Sequence, residues 1–89
     1  MQNLKNKVAV ITGAAEGIGK AITIRAAAEG MKLVLADINA EKLQATVAEF
    51  EAQGVEVIGQ RVDVADATQM DAFADAAFAH FGNVHLLVN

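Results

Sequence analysis

Val8-Ala9-Val10-Ile11-Thr12-Gly13-Ala14-Ala15-Glu16-Gly17-Ile18-Gly19 is the stretch that decides the fold of this 89-residue chain. Four apolar residues run without alternation into a glycine-spaced turn, and the turn runs into a helical pattern. An unbroken apolar run suits a strand covered on both faces, as in a parallel sheet. The three glycines have separable tasks. Gly13 lets the chain leave the strand in a tight turn, Gly17 removes a Cβ from the path of a ligand, and Gly19 allows close helix packing. The helix that follows presents unpaired N–H groups and a positive dipole end toward the turn, which favours an anion there.

Outward from this stretch, strand and helix patterns alternate, which argues for βαβ units. The first strand is expected over Val8 to Thr12 and the first helix over Gly17 to Glu29, with Ile18, Ala21, Ile22 and Arg25 at helical spacing and Gly30 closing it. A second apolar run, Lys32-Leu33-Val34-Leu35-Ala36, ends at Asp37. A second helix follows from Ala40 to Gln53, with Asn39 as N-cap, a core face of Leu43, Val47 and Phe50, and Gly54 at its end. The third strand, Val55 to Val62, is interrupted by Glu56, Gln60 and Arg61, which suits a sheet edge.

Asp66 and Gln69 have capping-box spacing ahead of the third helix. Met70, Phe73, Ala74, Ala77, Phe78 and Phe81 then repeat at helical spacing and read as core, up to Gly82. Val84 to Asn89 begins a fourth strand. The expected architecture is α/β, a three-layer Rossmann-like half with order βαβαβαβ and a parallel sheet arranged 3-2-1-4, cut off within or just after strand 4. With no Pro and no linker-like composition, residues 1–89 form one unit. The crevice of such a sheet lies beyond the strand carboxyl ends, where Gly13, Asp37, Asp63 and Asn89 converge.

Bulk properties narrow the function. A net charge of −4 and the lack of a basic cluster argue against nucleic-acid or anionic-membrane binding. No apolar run approaches the length of a membrane span, and the polar residues 1–7 do not resemble a signal peptide. The chain has no Cys, which fits a cytoplasmic location and excludes a thiolate metal site. His80 and His85 have no partner cluster, so no metal site is expected. A chain of this size buries only about 60–65% of the surface its unfolded form exposes, so its stability is marginal.

The spacing Thr12-Gly13-x-x-x-Gly17-Ile18-Gly19 resembles the coenzyme loop of the short-chain dehydrogenase/reductase family. Asp37, Asp63-Val64 and Leu86-Leu87-Val88-Asn89 stand at that family's intervals too, so the resemblance covers essentially the whole chain. It implies an NAD-binding N-terminal part of a Rossmann domain, with Gly13, Ala15, Glu16, Gly17, Ile18, Gly19, Asp37, Ile38, Asp63, Val64 and Asn89 against the coenzyme. Asp37 lies 18 residues beyond Gly19, where a carboxylate would accept from both ribose hydroxyls and repel a 2′-phosphate. Glu16 is acidic and Ile38 apolar, where NADP-using members tend to carry a basic residue, so NAD is favoured over NADP. Asp63 would accept from the adenine amino group while Val64 contacts the ring. Ala15 and Val84-His85 depart from the family pattern, the latter standing where members often have Ile-Asp.

The family transfers a hydride between an alcohol or carbonyl substrate and nicotinamide, using a Tyr, a Lys, a Ser and a further Asn. This chain contains neither Ser nor Tyr, so no catalytic residue is assigned and the chain alone is expected to be inactive. A small-molecule substrate is expected only in a longer parent. The other readings are a free-standing nucleotide-binding or interaction module and a binder of S-adenosylmethionine. An uncovered strand-4 edge would invite self-association.

Overall fold

The computed structural model describes residues 4–82 and 84–88. Four strands, β1 (Val8–Thr12), β2 (Lys32–Asp37), β3 (Val57–Arg61) and β4 (Leu86–Val88), alternate with three helices, α1 (Gly17–Ala28), α2 (Ala40–Ala52) and α3 (Ala67–Phe81). The strands pair in parallel in the order β3-β2-β1-β4. Each is reached from the last through a helix, as parallel pairing requires.

The apolar run of β1 is continuous because both of its faces are covered. Ala9 and Ile11, with Leu33 and Leu35 of β2, face a core completed by Ala26 of α1 and by Leu43 and Phe50 of α2. Val8 and Val10, with Val34 and Ala36, face the other core, completed by Val62 and by Phe73 and Ala77 of α3. The period-two alternation of the strands thus divides one hydrophobic sequence between two cores. The result is a three-layer α/β Rossmann-like domain with α1 and α2 on one face and α3 on the other.

Among the described residues β3 pairs with β2 alone, which makes it an edge, and it is shorter than the expected Val55 to Val62. Before it, the Val55 N–H donates to the Phe50 carbonyl and closes α2, while the Glu56 carbonyl accepts the Leu33 N–H of β2 and leads into the strand. Only the first residue of β3 is fully buried, which is why its sequence tolerates Gln60 and Arg61.

Two helix stripes need correction. In α1 the buried residues are Thr23 and Ala26, with Ile22 and Ala27 partly buried, whereas Ala21 and Arg25 are exposed and Ile18 is 81% exposed. α1 lies close to the β1 turn at Gly19, and Ile18 is turned to the cleft at the carboxyl end of the sheet. In α3 the sheet-facing residues are Met70, Phe73, Ala77 and Phe81; Ala74 is exposed and Phe78 is 53% exposed. Among the described residues no second helix lies beside α3, so it buries a narrow stripe against the sheet, and Ala74 and Phe78 are left outside it.

Candidate functional site

The carboxyl ends of β1, β2 and β3 open onto a cleft of about 460 Å³ lined by Thr12, Gly13, Ile18, Gly19, Ile22, Asp37, Ile38, Val62, Asp63 and Val64. Seven residues expected to form a ligand site meet here: Gly13, Ile18, Gly19, Asp37, Ile38, Asp63 and Val64. Ile18, Ile38 and Val64 are all more than half exposed, large apolar side chains left open around polar strand ends. Thr12, Ile22 and Val62 complete the lining. The expected contact at Asn89 lies outside the described residues.

The turn after β1 is built from backbone constraints. Gly13 and Gly17 both sit at φ +62°, a left-handed conformation that side chains disfavour. A Cβ on either would meet open space, so backbone conformation is their reason and the cleft is left unobstructed. Gly19 has a different reason. A Cβ there would overlap the Gly13 carbonyl, so its bareness lets the first turn of α1 seat on the loop. Behind it, the buried Thr23 hydroxyl donates to the Gly19 carbonyl at 2.8 Å. No side chain caps the N-terminus of α1, whose N-cap is Glu16. Its leading N–H groups and dipole end therefore face the cleft mouth.

Asp37 is the polar centre of the arrangement. It is 7% exposed, and its two carboxylate oxygens accept from the N–H groups of Ala15 and Asn39, each at 3.0 Å. Each oxygen takes one backbone N–H, which leaves a lone pair on each for a ligand hydroxyl. Ala15 is buried and spends its N–H on Asp37, so it serves the cleft through that carboxylate.

Glu16 turns away from the lining and forms an ion pair with Lys42 of α2 at 2.8 Å. The Glu16 carboxylate raises the Lys42 ammonium above its ordinary value of 10.5, first through their hydrogen bond and then through charge, with Asp37 adding to the same direction. By sequence Lys42 belongs to a solvated helix face, and its pairing with Glu16 is not legible there because 26 positions separate the two and no spacing rule joins them. Lys20, the cation next to the glycine turn, pairs instead with Glu49 of α2 at 3.3 Å.

The Asp63-Val64 turn is held from α3. The Asp63 N–H donates to the Gln69 side-chain oxygen at 2.9 Å, and the Ala65 N–H donates to Asp63 Oδ1 at 3.0 Å. Asp66 caps the helix as its spacing predicted, accepting the Gln69 N–H at 3.2 Å. The Gln69 side chain does not return to the Asp66 N–H, which donates to the Asp63 carbonyl. It bridges Asp63 and the Asp66 carboxylate instead, so the cap also shapes the cleft wall. On the third strand end, Arg61 Nε donates to the Ile38 carbonyl at 3.1 Å, tying β3 to the turn that carries Ile38.

Among the described residues, no group of acids and histidines could hold a metal ion, and no helix is long and apolar enough to cross a membrane.

A family model described as short chain dehydrogenase matches residues 7–89. Among curated proteins, SadH of Mycobacterium tuberculosis is 43% identical over 89 residues, covering 100% of this chain and 32% of that protein. The 7alpha-hydroxysteroid dehydrogenase of Escherichia coli is 40% identical over 86 residues, covering 97% of this chain and 34% of the enzyme. A crystal structure of a short chain dehydrogenase/reductase from Burkholderia phymatum in complex with NAD superposes with a TM-score of 0.94. It is 52% identical, and the match covers 98% of this chain and 31% of that one. The chain thus spans about a third of the length of the curated relatives it matches.

Proposed function

The chain belongs to the short chain dehydrogenase family, and from that membership we propose that its cleft seats the adenosine half of NAD. The observation that carries this reading is the Asp37 carboxylate, oriented by two backbone N–H groups at the end of β2 and opening onto the cleft beside Gly13 and Gly19. In this reading Asp37 accepts from the ribose hydroxyls, while the exposed N-terminus of α1 favours the diphosphate. Ile18, Ile38 and Val64 cover the faces of the adenine, and Asp63 accepts from its amino group. Gly17 leaves room for the diphosphate, and Asn89, outside the described residues, is assigned to the coenzyme by the family resemblance alone.

The cleft fits such a group in size and chemistry. It is roomy, mostly apolar, and carries a few fixed polar atoms, as small-molecule sites do. Bound NAD would supply the hydride acceptor for an alcohol or carbonyl substrate. The chain itself contributes binding and orientation, and the proton-transferring groups are not among its 89 residues, which include neither Ser nor Tyr. NAD is preferred to NADP because a 2′-phosphate would meet the Asp37 charge. The outer edge of β4 pairs with no other strand among the described residues. We take this edge to be covered by a second copy of the chain, which sedimentation would reveal as a rise of mass with concentration and a constant monomer mass would refute.

Calorimetric titration of the full chain with NAD, NADP, 5′-AMP and S-adenosylmethionine tests the reading. NAD and 5′-AMP are expected to bind more tightly than NADP; a preference for S-adenosylmethionine would replace the assignment. Asp37→Asn supplies the second arm. Its amide keeps one acceptor and aims a donor at the other backbone N–H, so both stability and ribose binding should fall. A variant that binds NAD as tightly as the unaltered protein would remove Asp37 from the site.

A further inference from the structure

The strand-end turn Asp37-Ile38-Asn39 is bordered by a cation, Lys42, three residues further along the chain. Asn39 caps α2 by accepting the Lys42 N–H at 3.0 Å, which fixes the Lys42 backbone one turn from Asp37. The Lys42 side chain then crosses to the glycine loop and meets Glu16 at 2.8 Å, with both side chains more than half exposed. Asp37 contributes to the field around this ammonium, so the cation lies within electrostatic reach of the carboxylate assigned to the ribose. Of the other cations, Arg61 stands at this same turn, donating its Nε to the Ile38 carbonyl from the position paired with Asp37, and Lys20 pairs with Glu49.

Resting on the adenosine reading above, we infer that Lys42 is a restrained phosphate-binding cation, and that its pairing with Glu16 withholds it from 2′-phosphorylated adenosine nucleotides. Discrimination against a 2′-phosphate then has two sources. Asp37 repels it directly, and Glu16 occupies the ammonium that would otherwise attract it. An ammonium on a flexible four-carbon stem can move between a carboxylate and a phosphate, because it demands no fixed geometry. Neutralising Glu16 without shortening it frees Lys42 to turn toward a ribose phosphate. Because the pair is exposed, the change leaves the packed core and the Asp37 hydrogen bonds in place.

The test titrates two probes, 5′-AMP and adenosine 2′,5′-bisphosphate, into the full chain at low salt, where exposed charges are least screened. The proteins are the unaltered chain, Glu16→Gln, Lys42→Met and the double variant. Glu16→Gln should gain affinity for the bisphosphate on the order of fivefold beyond any gain it shows for 5′-AMP, the scale of one exposed ion pair. Adding Lys42→Met should abolish that gain. An equal gain in the double variant would show that removing the Glu16 charge is enough by itself, and would overturn the role of Lys42. No gain in Glu16→Gln would overturn the inference while the adenosine reading stands. Failure of the unaltered protein to bind 5′-AMP would overturn the adenosine reading and the inference with it.

Discussion

The side-chain oxygen of Gln69, in the first turn of α3, accepts the backbone N–H of Asp63 at 2.9 Å. Through it, a helix cap on one face of the sheet fixes the turn that forms one wall of the cleft. Gln69 Nε2 donates to Asp66 Oδ2 at 3.2 Å, which sets the orientation of the amide and leaves its oxygen for Asp63. In the proposed function Gln69 is a positioning residue, acting on the adenine only through Asp63.

Gln69→Leu should therefore cost about 1 kcal/mol of stability through the lost acceptor, and should also blunt base discrimination. A carboxylate recognises an adenine amino group and repels the oxygen that replaces it in hypoxanthine. The ratio of 5′-AMP to 5′-IMP affinity should fall severalfold in Gln69→Leu, whereas a purely structural role would lower both affinities together. Calorimetry with the two nucleotides reads the difference.

Gly19→Ala and Gly59→Ala make a matched pair. At Gly19 a Cβ would overlap the backbone carbonyl of Gly13, which cannot move without distorting the turn. At Gly59 a Cβ would come 2.7 Å from Val47 Cγ2, a side-chain methyl that can rotate away. The expected losses are about 3 kcal/mol for Gly19→Ala and about 1 kcal/mol for Gly59→Ala, within the range for overpacking. Urea denaturation of both variants would check the order, and equal losses would contradict this account of the turn.

His85 accepts the Val8 N–H on its Nδ1 at 3.0 Å, while the His85 N–H donates to the Val8 carbonyl at 2.9 Å. It fastens the start of β1 to the approach of β4. The need is for a side-chain acceptor, which explains why family members can place an Asp at this position. His85→Ala should lower stability by about 1 kcal/mol and His85→Asp should restore most of it, as measured by thermal unfolding.

The Lys42–Glu16 pair sets a pH expectation in the alkaline range. Glu16 raises the Lys42 ammonium above its ordinary 10.5, so the folded state holds this proton more tightly than the unfolded chain does. Its contribution is fully present below 10.5 and is lost as pH rises through the higher folded value. The midpoint, followed by the NMR shift of the Lys42 side chain, should move down toward 10.5 in Glu16→Gln. A midpoint that stays put would mean that the pair does not persist in solution.

The β strands, the glycine turn and the strand-end acids were legible because each is a local pattern. An apolar run with no alternation means two covered faces, and Ala9 and Val10 do enter different cores. The helices were legible in position but less so in facing. Ile18 shares helical spacing with Ile22 in α1 yet stands 81% exposed, because the sheet-facing side of the helix is taken by Thr23 and Ala26, with Ile22 and Ala27 partly buried beside them. Phe78 looked like core because a six-residue stripe assumes neighbours on both sides of α3. Lys42, Gln69 and His85 act on partners brought close by tertiary folding or through side-chain bonds that spacing does not encode. Gln69 was seen as a capping residue, and its second bond, to Asp63, depends on how the chain leaves β3.

β1 is flanked by strands that reach it over very different lengths of chain. Lys32 pairs with Val8 after 24 residues, whereas His85 meets it across 77. Closing the longer loop costs roughly 1 kcal/mol more in chain entropy than closing the shorter one. The β1-α1-β2 unit is therefore the natural folding nucleus, and β4 docks late onto a surface already assembled. The same asymmetry makes β4 the first strand to detach in native-state fluctuations, so backbone amides bonded between β1 and β4 should exchange with deuterium sooner than those between β1 and β2.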